Sequence, residues 1–294
     1  MKKTRVAFLY DFDKTLCDRD MQEYKFIPAL GLTPQEFWGQ TGVLAESCKM
    51  ERILSYMYLM VKLAKEKGIP LTRSFLNECG KNIKYYKGVE TWFDRINKIG
   101  EDLGIEVEHY ILSSGTTEII EGCKIAHNFK KVYGCEFHYD ENGIADFPLN
   151  TVNYTTKTQY FYRISKGVLD ITDDVNLNSK MRKEDKRIQE NNFVYFGDGL
   201  TDVPCMKLVR SSGGKSIGIY QPGKISKVSD LLLDGRCDFI SKADYSEGSE
   251  LEDIARTILE RISLRYDLDL KQDKMVKRAQ KALKELHESN TKQK

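Results

Sequence analysis

The chain has 294 residues, with 46 Lys plus Arg against 44 Asp plus Glu, and 40% of its residues are hydrophobic. This balance excludes an intrinsically disordered chain, and a net charge of +2 gives no overall basic field that would bind nucleic acid. Because no apolar run approaches the roughly 20 residues that cross a bilayer and the N-terminus lacks a signal-peptide core, we expect a globular cytoplasmic protein with no nucleic-acid or membrane partner.

The first predicted element is a buried strand over Val6 to Tyr10, a short run of β-branched and aromatic residues. Residues 17–87 carry only helix signals. Thr33-Pro34 opens one helix, Glu51 to Lys67 forms a second that Gly68 ends, and Thr72 caps a third. The sequence therefore predicts a helical insertion directly after the first strand.

From Val89 onwards, helix and strand signals alternate, and such alternation predicts a parallel sheet with crossover helices. The predicted strands are 105–112, one near Val132, 193–196, 216–220 and 239–240, and the predicted helices are 89–103, one from Thr116, 230–233 and 250–264. We predict an α/β protein with a Rossmann-like parallel sheet core flanked by helices and a helical cap inserted after the first strand. The predicted domains are 1–16 with 88–265 for the core, 17–87 for the cap and 266–294 for a charged C-terminal helix or tail.

Three further segments carry local signals. Glu136 to Phe147 alternates around Glu141-Asn142-Gly143, which predicts a hairpin that forms a small flap. Residues 165–186 are polar and predict an exposed loop. Near the end, Met275, Ala279, Leu283 and Leu286 share one helical stripe among eight Lys or Arg from Lys271 to Lys294. We interpret this segment as a solvated terminal helix, with a binding tail as the alternative.

Acidic residues follow the first strand. Asp11 and Asp13 are two residues apart, so in extended backbone their side chains point the same way. Ligands of α/β proteins bind at the carboxyl ends of the parallel strands, so this pair lies at a predicted active site.

Two other predicted strands end in chemistry-bearing residues. The strand that ends at Leu112 runs into Ser113-Ser114-Gly115-Thr116, where a hydroxyl and backbone N–H groups at a helix start would bind an anion. The strand that ends at Phe196 runs into Gly197-Asp198-Gly199-Leu200-Thr201-Asp202, whose two carboxylates suit a hard cation. Three strand ends therefore predict one site.

These motifs resemble those of the haloacid dehalogenase-like phosphatases, in the branch that includes phosphoserine phosphatase. The Asp-x-Asp-x-Thr motif of that family is similar to Asp11 to Thr15, its strand-ending Ser or Thr to Ser113, and its Gly-Asp-Gly-x-x-Asp motif to residues 197–202. The family also has a lone Lys. We assign it to Lys157, which opens a helix pattern after the hairpin, with Lys166 as the second candidate.

The resemblance implies a Mg²⁺-dependent phosphoric monoester hydrolase that acts on a small phosphorylated metabolite. It implies that Asp11 is the nucleophile that forms an aspartyl-phosphate, and that Asp13 is the general acid and base. Mg²⁺ would be held by Asp11, the backbone carbonyl of Asp13 and Asp198, with Asp202 ordering its surroundings.

The resemblance also implies how the phosphoryl group and the substrate are held. Ser113, Lys157 and the N–H groups of Ser114 and Gly115 would bind the phosphoryl oxygens. In the cap, Asp20 and Arg52 are the candidates for substrate binding, whereas Met50, Tyr56, Met57 and Met60 are expected in the cap core.

Asp13 favours phosphate esters over haloacids as substrates, because a dehalogenase lacks this second acid. The lack of membrane spans and Leu16 after Thr15 exclude a cation-pumping ATPase. The alternative function is a catalytically silent or regulatory phospho-ligand-binding protein of the same fold.

Overall fold

The computed structural model describes residues 4–292, with side chains to residue 285. Its centre is a seven-stranded sheet in the order β4-β3-β2-β1-β5-β6-β7. Every pair of neighbours is parallel except β3 and β4, which are antiparallel. The strands are β1 Thr4–Tyr10, β2 Ile105–Thr116, β3 Phe129–Tyr139, β4 Ala145–Asn150, β5 Phe193–Gly197, β6 Lys215–Tyr220 and β7 Phe239–Lys242. The predicted α/β fold is confirmed.

The register of the central strands brings the three motifs together. Tyr10 of β1 lies opposite Ile111 of β2 on one side and Phe196 of β5 on the other. Residues 6–10 of β1 are fully buried, because helices cover both faces of a parallel sheet. The residues that follow Tyr10, Leu112 and Phe196 therefore meet at one edge.

Residues 17–87, all of them described, contribute helices and no strand to the sheet. The helices are α1 Phe26–Ala29, α2 Pro34–Cys48, α3 Arg52–Glu66 and α4 Arg73–Gly80. Their starts follow from capping side chains that accept hydrogen bonds from unpaired N–H groups. Thr33 and Glu36 form a capping box on α2, Glu51 accepts from two N–H groups of α3, and Thr72 accepts from Phe75.

The remaining helices flank the sheet. They are α5 Val89–Asp102, α6 Thr117–Glu121, α7 Lys157–Lys166, α8 Asp174–Asn178, α9 Val203–Ser211, α10 Ser226–Leu233 and α11 Glu250–Lys292. None of the helices in the described part of the chain is long and apolar enough to span a membrane.

The structure corrects four boundaries. Strand β2 continues through Thr116, so the predicted helix start becomes the short α6 at Thr117. The segment 165–186 contains the end of α7, α8 and a 3₁₀ turn at Lys183–Asp185 rather than an unstructured loop. The helix predicted to end at residue 264 continues to Lys292. The hairpin forms, but its first strand belongs to β3 of the main sheet and is not a separate flap.

The hairpin of β3 and β4 contacts the cap through a backbone hydrogen bond. Asp140 accepts hydrogen bonds from the N–H groups of Asn142 and Ile144, and Gly143 adopts a φ of +73° that a tight turn requires. The N–H of Ala145 donates to the carbonyl of Leu71, 2.9 Å away. The sheet edge that carries β4 therefore supports one side of the cap.

Candidate functional site

A cavity of about 320 Å³ lies between the cap and the carboxyl ends of β1, β2 and β5. Parallel α/β sheets bind ligands at this edge, and the helical insertion covers it. The core lines it with Asp11, Asp13, Lys14, Ser113, Ser114, Gly115, Lys157, Asp198, Gly199 and Thr201, and the other lining residues are Asp20, Gln22, Trp38, Ile53 and Tyr56.

Lys157 lies at the centre of the charged groups. Its ammonium nitrogen is 2.9 Å from Asp11 Oδ1 and 2.8 Å from Asp202 Oδ1, and the side chain is 1% exposed. Burial by itself lowers the pKa of Lys157, but the two carboxylates outweigh it and raise that pKa above its usual value. Lys166, the second candidate, is bound instead to the carbonyls of Leu177 and Ser179, outside the cavity lining.

Three carboxylates form a cluster beside Lys157. Asp11, Asp198 and Asp202 each offer an oxygen within 4.8 Å of the others. Burial raises the pKa of Asp11 to about 6, with Lys157 opposing that rise and Asp202 adding to it. Burial, followed by repulsion from Asp202 and Asp11, also raises the pKa of Asp198.

The charges and hydrogen bonds of this cluster indicate which of its carboxylates could bind a metal ion. One ammonium faces the buried carboxylates of Asp11 and Asp202 and the half-buried carboxylate of Asp198, and oxygen ligands with excess negative charge are what Mg²⁺ prefers. Both oxygens of Asp202 already accept hydrogen bonds, one from Lys157 and Tyr195 and the other from the N–H groups of Asp198 and Gly199. Asp202 is therefore suited to orient the cluster, while Asp11 and Asp198 are better placed to offer oxygens to a cation.

Asp13 lies on the cap side of Asp11. Its Oδ1 accepts a hydrogen bond of 2.8 Å from the N–H of Met21, where the cap begins. Burial, followed by repulsion from Asp20 and Asp11, raises the pKa of Asp13 well above its usual value. A carboxyl group that keeps its proton near neutral pH can donate it to a leaving group.

The turn between the two motif aspartates and the cap is fixed by an ion pair. Lys14 has a φ of 58°, which side chains other than glycine rarely adopt. Its ammonium lies 2.7 Å from Asp20 Oδ2. Asp20, a predicted substrate-binding residue, lines the cavity. Its negative charge is already paired with the ammonium of Lys14.

Ser113, Ser114 and Gly115, at the end of β2, also line the cavity. The N–H of Gly115 donates to Ser113 Oγ at 3.0 Å, and the buried hydroxyl of Ser114 makes no hydrogen bond to the described residues. A Cβ on Gly115 would lie 2.0 Å from Met21 Cε, so glycine lets the cap approach here. These residues belong to the end of β2, and the five-residue α6 does not begin until Thr117, which corrects the predicted helix start at Thr116.

The cap lines the cavity with the polar residues Asp20 and Gln22 and with three apolar or aromatic side chains. Trp38 of α2 and Tyr56 of α3 pack edge to face, with ring centroids 5.9 Å apart, and Ile53 lies beside them. Tyr56 is buried as predicted for cap core, yet it also lines the cavity and donates a 2.7 Å hydrogen bond to the carbonyl of Ser114. Arg52 is exposed and is not among the lining residues.

Sequence reasoning missed Trp38, Ile53 and Tyr195. Tyr195 lies inside β5, and its hydroxyl donates to Asp202 Oδ1 at 2.7 Å. The continuous apolar run of β5 does not by itself distinguish this tyrosine from a core residue. The aromatic and apolar residues of α2 and α3 likewise follow the pattern of buried helix faces.

Comparison with known proteins shows what this architecture is similar to. No protein-family model matches the chain. A substrate-bound phosphoserine phosphatase superposes with a TM-score of 0.53 at 14% identity, covering 87% of this chain and 100% of that one. A HAD family hydrolase from Salmonella enterica serovar Typhi superposes with a TM-score of 0.53 at 16% identity, covering 80% of this chain and 66% of that one. The chain has the haloacid dehalogenase-like fold.

Two other comparisons concern the extent of this likeness. A probable phosphoserine phosphatase from Vibrio cholerae superposes on this chain with a TM-score of 0.55 at 10% identity, covering 90% of this chain and 67% of that one. An uncharacterised protein from Borreliella burgdorferi is 26% identical over an alignment of 273 positions that covers 84% of this chain and 93% of that protein. The likeness therefore extends over most of the chain.

Proposed function

We propose that the protein is a Mg²⁺-dependent phosphatase that hydrolyses a phosphomonoester of a small metabolite. The observation that carries this proposal is the buried bridge of Lys157 between Asp11 and Asp202, with Asp198 in the same cluster. Phosphoserine phosphatases are among the proteins with this fold. A buried ammonium beside a nucleophilic carboxylate suits an anionic phosphoryl group, because it offsets the repulsion between the two anions.

In this mechanism Asp11 attacks phosphorus. A bond forms between a carboxylate oxygen of Asp11 and phosphorus while the bond from phosphorus to the leaving oxygen breaks. Asp13 gives its proton to that oxygen, so the product leaves as an alcohol. Asp13, now ionised, takes a proton from the water that attacks the aspartyl-phosphate, and inorganic phosphate is released.

The metal-binding residues in this proposal are Asp11, the backbone carbonyl of Asp13 and Asp198. The donor set fits Mg²⁺ because it consists of oxygens with unbalanced negative charge. When bound, Mg²⁺ would reduce the repulsion between the attacking carboxylate and the phosphate. Asp202 holds Lys157 and the backbone of Asp198 in place by the hydrogen bonds described above.

The phosphoryl oxygens are held in this proposal by Lys157, by Ser113 and by the backbone N–H groups of Ser114 and Gly115. All four residues line the cavity. Fixed donors stabilise developing charge most when water is excluded, and Lys157 is almost fully buried.

The cavity also constrains the substrate. The cap lies over Asp11 and leaves about 320 Å³, which suits a small molecule rather than a folded phosphoprotein. Because Lys14 pairs with Asp20 and Arg52 lies outside the lining, the cap offers an apolar and aromatic wall of Trp38, Ile53 and Tyr56. Gln22 is the other cap residue in the lining, and its side-chain oxygen accepts no hydrogen bond from the described residues. We propose that the leaving alcohol presents an apolar or ring-shaped part to this wall.

A panel of phosphorylated metabolites and aryl phosphates tests the proposal. We expect phosphate release with Mg²⁺, loss of release in excess chelator, and loss of release in Asp11→Asn with Mg²⁺ present. Ligand binding without phosphate release from any compound would instead support the silent phospho-ligand-binding alternative. Equal turnover with and without chelator would contradict the metal assignment.

A further inference from the structure

Helix α11 leaves the body of the protein part-way along its length. Leu251, Ala255 and Leu259 are fully buried, and Ser263 donates a 3.0 Å hydrogen bond to the carbonyl of Leu103. From Lys271 to Glu285 every side chain is exposed. At about 1.5 Å per residue, these exposed turns extend roughly 20 Å beyond the last contacts of the helix with the core.

The exposed part of α11 has two chemically different faces. At about 100° per residue, Leu268, Met275, Ala279 and Leu283 lie on one side of the helix. The side chains of Leu268, Met275 and Leu283 are 62%, 66% and 58% exposed. Large apolar side chains that are exposed in one stripe indicate a surface that binds something.

The opposite face is basic. Lys274, Lys277, Lys281 and Lys284 lie there, and residues 271–285 hold six Lys or Arg against two acids, Asp273 and Glu285. A helix with an apolar stripe and a basic polar face is suited to lie at a boundary between an apolar layer and a negatively charged layer.

We propose that residues 268–285 of α11 bind the surface of an anionic lipid bilayer, with the helix lying in the plane of the membrane. The apolar stripe would enter the boundary between headgroups and acyl chains, and the lysines would contact anionic headgroups. This proposal departs from the expectation, drawn from the sequence, that the protein has no membrane partner.

The pattern of charges favours a bilayer over a second copy of the chain. A parallel coiled coil needs apolar residues at two positions of every seven. If Leu268 and Met275 take the first position, Lys271 and Arg278 take the second. Two such helices would also bring two basic segments together, whereas an anionic bilayer neutralises them.

The attachment point leaves the cavity accessible. Ser263 contacts Leu103, just before β2, and Arg265 donates to the side chain of Asn192, just before β5. The helix therefore leaves the protein near the amino ends of these strands, whereas the cavity lies at their carboxyl ends. Membrane binding would leave the phosphatase site open to soluble substrates.

Co-sedimentation of the full chain with lipid vesicles tests the proposal. Phosphatidylcholine vesicles in which about a third of the lipid is phosphatidylglycerol should bind the protein about tenfold or more tightly than pure phosphatidylcholine vesicles, and high salt should weaken that binding. No binding, or equal binding to both kinds of vesicle, would overturn the proposal.

Two sets of variants separate the two faces. Replacing Lys274, Lys277 and Lys281 by Gln should lower binding about tenfold or more, whereas the same change at the exposed Lys65, Lys67 and Lys207 removes equal charge and should leave it unchanged. Equal losses in the two sets would mean that net charge alone drives binding, which contradicts the proposal.

The apolar face is tested with alanine, which preserves helix formation. Changing Leu268, Met275 and Leu283 to Ala should also lower vesicle binding about tenfold, while Leu233→Ala, at an 81% exposed leucine of α10, should not. Retained vesicle binding in the alanine variant would mean that the basic residues alone drive binding, as they would to any polyanion, and would overturn the proposal. A dimer in sedimentation velocity that the alanine variant loses, with no vesicle binding, would overturn it in favour of self-association.

Discussion

Lys157→Met is the substitution that most directly perturbs the candidate site. It removes an ammonium that is 2.9 Å from Asp11 and 2.8 Å from Asp202 while keeping a side chain of similar length. Removing one partner of a buried ion pair costs about 3–5 kcal/mol, because the remaining charges have no compensation. At about 2–4 °C per kcal/mol, we expect the Tm to fall by about 10 °C.

The same variant should lose phosphatase activity. Lys157 is the main group that opposes the upward pKa shift of Asp11, so its removal should raise that pKa further and leave less ionised nucleophile near neutral pH. Together with the lost phosphoryl contact, we expect kcat to fall by a factor of about 10² or more. Thermal melts and phosphate-release rates with Mg²⁺ measure both effects.

Lys166→Met is the matched control, since Lys166 contacts only backbone carbonyls of Leu177 and Ser179 among the hydrogen bonds of the described residues. It should change the Tm by a few degrees at most and leave kcat unchanged. The assignment of Lys157 would be refuted if the two variants lost stability and activity to the same extent.

Three further predictions follow from other parts of the structure. Gly197→Ala should lower the free energy of unfolding by about 1–3 kcal/mol and reduce phosphate release, because its Cβ would lie 2.4 Å from a buried carboxylate. Gly39→Ala, in α2 and outside the cavity lining, meets no atom within 4 Å and should do neither; chemical unfolding and initial rates measure this. Burial lowers the pKa of His109 to about 3, so between pH 6.5 and 3 the unfolded state binds the proton and this histidine should cost the wild type about 1.4 kcal/mol of stability per pH unit as the pH falls. His109→Gln lacks this loss, so the stability difference between the two proteins should change with pH, and urea unfolding at several pH values that gives parallel curves would contradict it. Trp38→Ala removes part of the cavity wall, so it should change the ratio of kcat/KM between substrates about tenfold without abolishing turnover of a small aryl phosphate. Arg52→Ala lies outside that wall and should leave the ranking of substrates unchanged.

The sheet and its strand ends could be predicted from the sequence because their signals are local. Val6 to Tyr10 and Phe193 to Phe196 are short apolar runs, and each is followed at once by its aspartates. The rule that parallel strands present their carboxyl ends on one edge then brings the motifs together. The helix starts at Thr33 and Thr72 could be predicted for the same reason, since a cap depends on neighbours in the sequence.

The parts that could not be predicted depend on contacts between distant residues. Tyr56 has the pattern of a core residue, and only the fold reveals that its hydroxyl reaches the carbonyl of Ser114, 58 positions away. Whether Asp20 faces substrate or Lys14 depends on the left-handed turn at Lys14, which the sequence does not indicate. The sequence predicted a helix over 250–264 and a solvated terminal helix beyond residue 266, and the structure joins the two in α11. The side chain of Leu286, which was assigned to the apolar stripe, lies outside the described residues.

The central claim is that Asp11 carries the phosphoryl group during turnover. Asp13→Asn lacks the group that activates water, so it should accumulate the aspartyl-phosphate when given an activated aryl phosphate and Mg²⁺. Acid quenching followed by peptide mapping should then find phosphate on Asp11, and none when Asp11→Asn is added to the same chain. Phosphate on Ser113 or on any other residue, or steady phosphate release with no phosphoenzyme in either protein, would contradict the account.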